Sequence, residues 1–253
     1  MFKKFIICLS AMVCLTLLIM PARGGMPPVL KKRIGIPPFK VLREVLATGH
    51  SRTTESKDFQ EGVTPYLTWL ADSDPRLSSN HILPGGKQMI TVRNPGAQLS
   101  VSQGSLNYGI YQLHTPVLLI TGISDSRHIN YYLKGYNHLS GPLQMELDHL
   151  HLALDKEKEI DLEQERPAEK LLRLVETNVD YQVKKAIECF HERISDGRLV
   201  VIGSVFDTTN LYKKGKNRII IININGEQGK KLRELRLIRQ LEPELRQYVI
   251  RQN

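Results

Sequence analysis

Five short apolar runs punctuate the chain: "YLTWLA" (66–71), "MITV" (89–92), "VLLITGI" (117–123), "LVVIGSVF" (199–206) and "RIIIININ" (218–225). Their lengths and β-branched content are those of buried strands. Helical patterns lie between them. "SLNYGIYQL" fills 105–113, a polar-rich stretch occupies 142–166, and a longer pattern covers 168–195, with Pro167 at the first helical position and Asp196-Gly197 as its stop. Strands that are apolar on both faces and alternate with helices predict an α/β fold: a mostly parallel sheet of four strands with helices on both faces. Only "DTTNLYKKGKN" precedes the last run. That is too short for a helical crossover, so the fifth strand is expected antiparallel at an edge.

The two ends read differently. Lys3 and Lys4 precede an apolar run from Phe5 to Met20, followed by Ala22-x-Gly24. This is the pattern of a secretory signal peptide over 1–24. The rival reading is an inner-membrane anchor formed by residues 5–20. Residues 25–38, proline-rich and basic, predict an extended arm, and "FKVLREVLATGH" from Phe39 has helical spacing. At the other end, Leu232, Leu235, Ile238 and Leu241 predict one basic amphipathic helix within 226–253, for packing or for a protein partner.

Export alters the remaining counts. Cys8 and Cys14 would leave with the signal, so Cys189 alone remains, which excludes an internal disulfide and a cysteine-based zinc cluster. Formal charge would fall from +9 to +6 with Lys3, Lys4 and Arg23. The basic residues are scattered among acids without a recognisable motif, so no nucleic-acid partner is expected.

In such sheets, sites form beyond the carboxyl ends of the strands. Three loops qualify: "ADSDPR" after the first strand, "RNPG" after the second and "SDSRH" after the third. In that order they resemble the β-class carbonic anhydrases, which carry Cys-x-Asp-x-Arg, Arg-Asn-x-Gly and Gly-His-x-x-Cys at these places. "DSDPR" (72–76), "RNPG" (93–96) and "GISDS" (122–126) fall on the three motifs, and the resemblance covers a domain at 39–225. Ser124-Asp125-Ser126-Arg127 also echoes the first motif, but no Arg-Asn-x-Gly follows it.

The resemblance implies a zinc ion that lowers the pKa of its bound water to about 7. Its ligand positions here are Asp72, Ile123 and Ser126. Isoleucine cannot ligate and a neutral hydroxyl is a poor ligand, whereas a catalytic zinc needs three protein ligands. No cofactor is therefore expected, zinc entering only if Asp72 were joined by a relocated histidine: His128, His81 or His114. Asp74 and Arg76 match the catalytic dyad that the resemblance implies, read here as vestigial or structural. Arg93, Asn94, Gly122, Asp125 and Ser126 complete the expected pocket, with Arg127 as a further balancing charge. The expected protein is an exported, zinc-less homologue, a homodimer by resemblance, acting through binding or assembly. The alternative is an active anhydrase, or a related lyase or hydrolase, with a rebuilt metal site.

Overall fold

The computed structural model describes residues 65–83, 88–158 and 166–250. The expected signal peptide, arm and helix from Phe39 lie outside them. The strands are β1 (Leu67–Asp72), β2 (Met89–Asn94), β3 (Val117–Ile123), β4 (Val200–Asp207) and β5 (Arg218–Ile224), in the spatial order β2-β1-β3-β4-β5. The pairs among the first four are parallel and β4–β5 is antiparallel, as the chain pattern predicts.

Alternation along the strands divides the core. Leu70, Leu118, Ile120, Val201 and Val205 belong to one buried cluster with Val175, Val179 and Val183. Trp69, Ala71, Leu119, Ile123 and Phe206 belong to another, with Leu77 of the loop after β1. A polar rung crosses this second layer, where the Trp69 indole N–H donates to Thr121 Oγ1 (2.9 Å), itself 2.9 Å from Ser204 Oγ. Both faces are thus apolar for the same reason that the strands read as continuous runs.

The helices begin with α1 (Gln103–Asn107), which runs into a π-helical turn over Tyr108–Gln112. The Gly109 carbonyl there accepts the Thr115 N–H and hydroxyl, both at 3.1 Å. After β3 come α2 (Arg127–Lys134), α3 (Gly141–Asp148) and α4 (His151–Lys158). The helical stretch expected at 142–166 is therefore divided. A tightened turn, Leu150 N–H to Leu147 C=O at 3.0 Å, separates α3 from α4. The long helix α5 (Pro167–Ser195) starts on its proline and ends before Gly197, whose φ of 68° suits a residue without Cβ.

Helix α5 approaches the sheet closely at two glycines. A Cβ on Gly122 would lie 2.7 Å from Val175 Cγ1, and one on Gly203 2.9 Å from Val179 Cγ1. Gly122→Ala is accordingly expected to lower the urea midpoint by the equivalent of about 1–3 kcal/mol, the usual cost of overpacking a close-fitting core. An unchanged midpoint would contradict this packing.

The tail corrects one expectation. The single helix read over 226–253 is three short ones: α6 (Gly229–Glu234), α7 (Arg236–Arg239) and α8 (Pro243–Arg246). Extended backbone at Leu235 (ψ 137°) and at Glu242 (ψ 146°), the residue before Pro243, interrupts it. Leu232 and Ile238 are still buried, with Ile224 and Val249. The Ile221 N–H donates to Tyr248 C=O (2.9 Å) and the Ile250 N–H to Ile221 C=O (3.1 Å), so the tail pairs briefly along β5.

Candidate functional site

The carboxyl ends of β1, β2 and β3 bring the three loops together. Asp72 and Asn94, the last residues of β1 and β2, are register partners. Asp72 is 1% exposed, too deep for a carboxylate to be ionised without donors. It has three. Its Oδ1 accepts the Gly96 N–H (3.1 Å) and lies 2.5 Å from His128 Nδ1, and its Oδ2 accepts the Ser126 hydroxyl proton at 2.6 Å. Ser126 Oγ also accepts the Ile129 N–H at 3.3 Å, capping α2. That helix start fixes His128 one residue into α2.

At 2.5 Å, His128 Nδ1 and Asp72 Oδ1 share a proton between them. Burial opposes charge on the ring. The hydrogen bond and charge of Asp72, with Asp74 and Glu146 beyond, outweigh it and hold His128 above the ordinary imidazole value. Ser126 gives its single proton to Asp72 and not to His128. The three side chains therefore do not form a nucleophile–base relay.

Asp74 is claimed by Arg76. Its Oδ1 accepts the Arg76 backbone N–H (2.9 Å) and Nε–H (2.8 Å), and its Oδ2 accepts from the guanidinium at 2.8 Å. The Arg76 hydrogen bonds hold the Asp74 carboxyl below the usual carboxylate range, despite its burial. Arg76 also donates to Asp125 Oδ2 (2.6 Å), and Thr208 Oγ1 donates to Asp125 Oδ1 (2.6 Å). A depressed pKa adds stability above the unfolded-state value, and that stability is lost as pH falls through the folded-state value. Arg76→Gln is thus expected to flatten the acid limb of a urea midpoint-against-pH curve. A limb as steep as the wild type's would contradict the clamp.

The other expected pocket residues are mostly structural. Arg93 donates to the backbone carbonyls of Asp74 and Asp72 instead of pairing with a carboxylate. Asn94 staples its own loop, donating to Gln98 C=O (2.7 Å) and Ser102 Oγ (2.9 Å) and accepting the Gln98 N–H (2.6 Å). Gly122 lies under α5. Ile123, 0% exposed, packs with Trp69, Leu119 and Phe206. Asp72 is partnered by His128, and Asp74 and Asp125 by Arg76, while Arg127 acts on Asp74 only through its charge. His81 stacks on Phe206 with ring centroids 4.9 Å apart, and His114 Nδ1 lies 3.0 Å from Arg193, so neither approaches Asp72. Gly96 and Thr208 were not among the expected site residues. Gly96, in "RNPG", has φ of 77°, the one signal that this N–H could turn toward Asp72.

The chemistry of these donors decides whether zinc fits. Both Asp72 oxygens are occupied by hydrogen-bond donors, Ser126 is a neutral hydroxyl and Ile123 has no donor. No group of three or more His, Cys, Asp or Glu side chains among the described residues could hold a metal ion. This donor set does not fit a zinc ion with three protein ligands. An open groove of about 630 Å³ lies beside β2, lined by Thr91, Arg93, Ser102, Ser105 and Tyr108.

The comparisons agree on the architecture. The family model described as carbonic anhydrase matches residues 67–212. A tetrameric β-carbonic anhydrase of Sordaria macrospora superposes with a TM-score of 0.60 at 18% identity, covering 73% of this chain and 95% of that one. The β-carbonic anhydrase CafA of Aspergillus fumigatus gives 0.54 at 19%, covering 76% and 89%. The Coccomyxa enzyme solved with acetazolamide gives 0.51 at 18%, covering 66% and 78%. No curated protein sequence gives a significant match. With the family model spanning most of the described domain and the same sheet in each of these neighbours, the chain belongs to the β-carbonic anhydrase family.

Proposed function

We propose that this chain is a zinc-less, non-catalytic member of its family that acts through binding or assembly. One observation carries the reading: both oxygens of the Asp72 carboxylate are already engaged, by Gly96 and His128 on Oδ1 and by Ser126 on Oδ2. Without a metal, Asp74 has no bound hydroxide to orient, and a carboxylate is too weak a base to make hydroxide from bulk water. The Asp74–Arg76–Asp125 set then serves as a clamp between the loops after β1 and β3.

A second reading has its own support. His128 is a metal-competent side chain beside Asp72, and its other ring nitrogen makes no hydrogen bond among the described residues. An active anhydrase with a rebuilt site would use this pair. Stopped-flow CO₂ hydration separates the two. The first reading expects the uncatalysed rate with zinc, manganese or iron supplied. Hydration above that rate, abolished by a chelator and impaired by Asp74→Asn, would overturn it.

Export by a cleaved signal over 1–24 is part of the proposal, supported by the Lys3-Lys4, apolar and Ala22-x-Gly24 pattern. The alternative is anchorage by residues 5–20, and intact mass decides between them. Among the described residues, no helix is long and apolar enough to cross a membrane. Self-association is supported by the tetrameric relative, and a homodimer is the form we propose. The groove beside β2 and the tail offer further surfaces for a protein partner.

A further inference from the structure

Strand β5 is one border of the sheet, and its sequence makes that border adhesive. Ile219, Ile220, Ile221 and Ile222 place four β-branched residues in a row with no charge among them. A strand of this kind with open N–H and C=O groups along its outer edge is a template for another strand.

The chain's own tail fills that place at Ile221. The Ile221 N–H donates to Tyr248 C=O (2.9 Å) and its C=O accepts the Ile250 N–H (3.1 Å), a parallel bridge between Ile221 and Val249. Side chains alternate as they do within the sheet. Val249, 2% exposed, joins Ile224, Leu232 and Ile238 in the cluster against which Ile221 packs. Tyr248 and Ile250 pack instead on the larger cluster that holds Ile220 and Ile222. Residues 248–250 thus continue both layers of the core one strand beyond β5. The attachment is slight. Among the described residues, two backbone hydrogen bonds tie this segment to β5, and Arg233 Nε donates to Val249 C=O at 3.3 Å. Helix α8, which leads into it, buries no residue.

We propose that residues 248–250 are a strap over a strand-docking edge, and that the partner this edge fits is β5 of a second copy of the chain. The strand is complementary to itself in the antiparallel sense. With Ile221 opposite its own counterpart, each Ile221 N–H meets the other's C=O, the two groups that the strap now occupies. That register sets Ile219 against Asn223 and Arg218 against Ile224, so the two arginines lie apart. A parallel pairing in register would set Arg218 beside Arg218. Strap and second copy exclude each other. With the strap in place the sheet stops at β5, and with the strap displaced it continues across a two-fold axis.

Light scattering after size-exclusion chromatography tests the strap in the full chain. Val249→Asp puts a carboxylate into an apolar site and should release the strap. Its mass is expected to be at least about double the wild type's at the same concentration, because each assembly gains an open edge. Adding Ile221→Pro removes the edge donor and spares the ladder to β4, because that N–H points at Tyr248. The double variant should return to the wild-type mass. Exchange of the Ile221 amide gives a second reading that needs no proline. It should be protected in the wild type at every concentration, and in Val249→Asp only where the mass has risen. Should Val249→Asp fail to fold, Ile250→Pro, which deletes one strap donor, takes its place with the same expected results. A strap variant that keeps the wild-type mass, association that survives Ile221→Pro, or an unprotected Ile221 amide in the heavier species would overturn the proposal.

Discussion

Asp72→Ala is expected to lower folding stability by about 3–5 kcal/mol, the cost of stripping a buried charge of its partner. The carboxylate joins three segments: the β2 loop through Gly96, the β3 loop through Ser126, and α2 through His128. Without it, the Ser126 hydroxyl and Gly96 N–H are orphaned donors, each adding to the penalty. His128, 15% exposed, is left as a largely buried ring that has lost the group stabilising its charge. Urea unfolding followed by circular dichroism measures the effect, and Asp72→Asn should fall between the two, keeping an acceptor but not the charge. A near-neutral Asp72→Ala would mean that this cluster is not what ties the strand ends together.

Ile123→His, a return to the imidazole that the family resemblance puts at this position, is expected to cost about 3 kcal/mol or more. The position is 0% exposed and its neighbours in the second core layer are Trp69, Leu119 and Phe206. An imidazole there loses apolar burial and meets hydrocarbon. Denaturant midpoints with and without added zinc check this. The expected result is destabilisation that zinc does not reverse. A variant restored to wild-type stability by zinc would show that the metal geometry survives around Asp72.

The sheet was legible because strands buried on both faces are written as unbroken apolar runs, and the short link before β5 left only an antiparallel pairing. The tail was not, because Leu232, Leu235, Ile238 and Leu241 keep helical spacing whether or not the backbone between them is helical. Pro243 was the available stop signal. The site was legible as positions and not as contacts. Strand ends name Asp72, Arg93, Asn94 and Ile123, but alternation sends Gly122 toward α5 and Ile123 into the opposite layer. Arg93 has a long side chain that can reach a carbonyl or a carboxylate, and nothing local chooses between them. The pairing of His128 with Asp72 spans 56 residues. It follows from Ser126 starting α2, a capping role that Ser at that place suggests only once the loop is folded.

The central claim is that hydrogen bonds among Asp72, Ser126, His128 and Gly96 stand where a metal would tie these loops. Metal analysis of untagged protein, produced with zinc in the medium, tests it most directly. The account predicts zinc far below one ion per chain, unchanged in Asp72→Ala. One zinc per chain in the wild type, lost in Asp72→Ala, would contradict it.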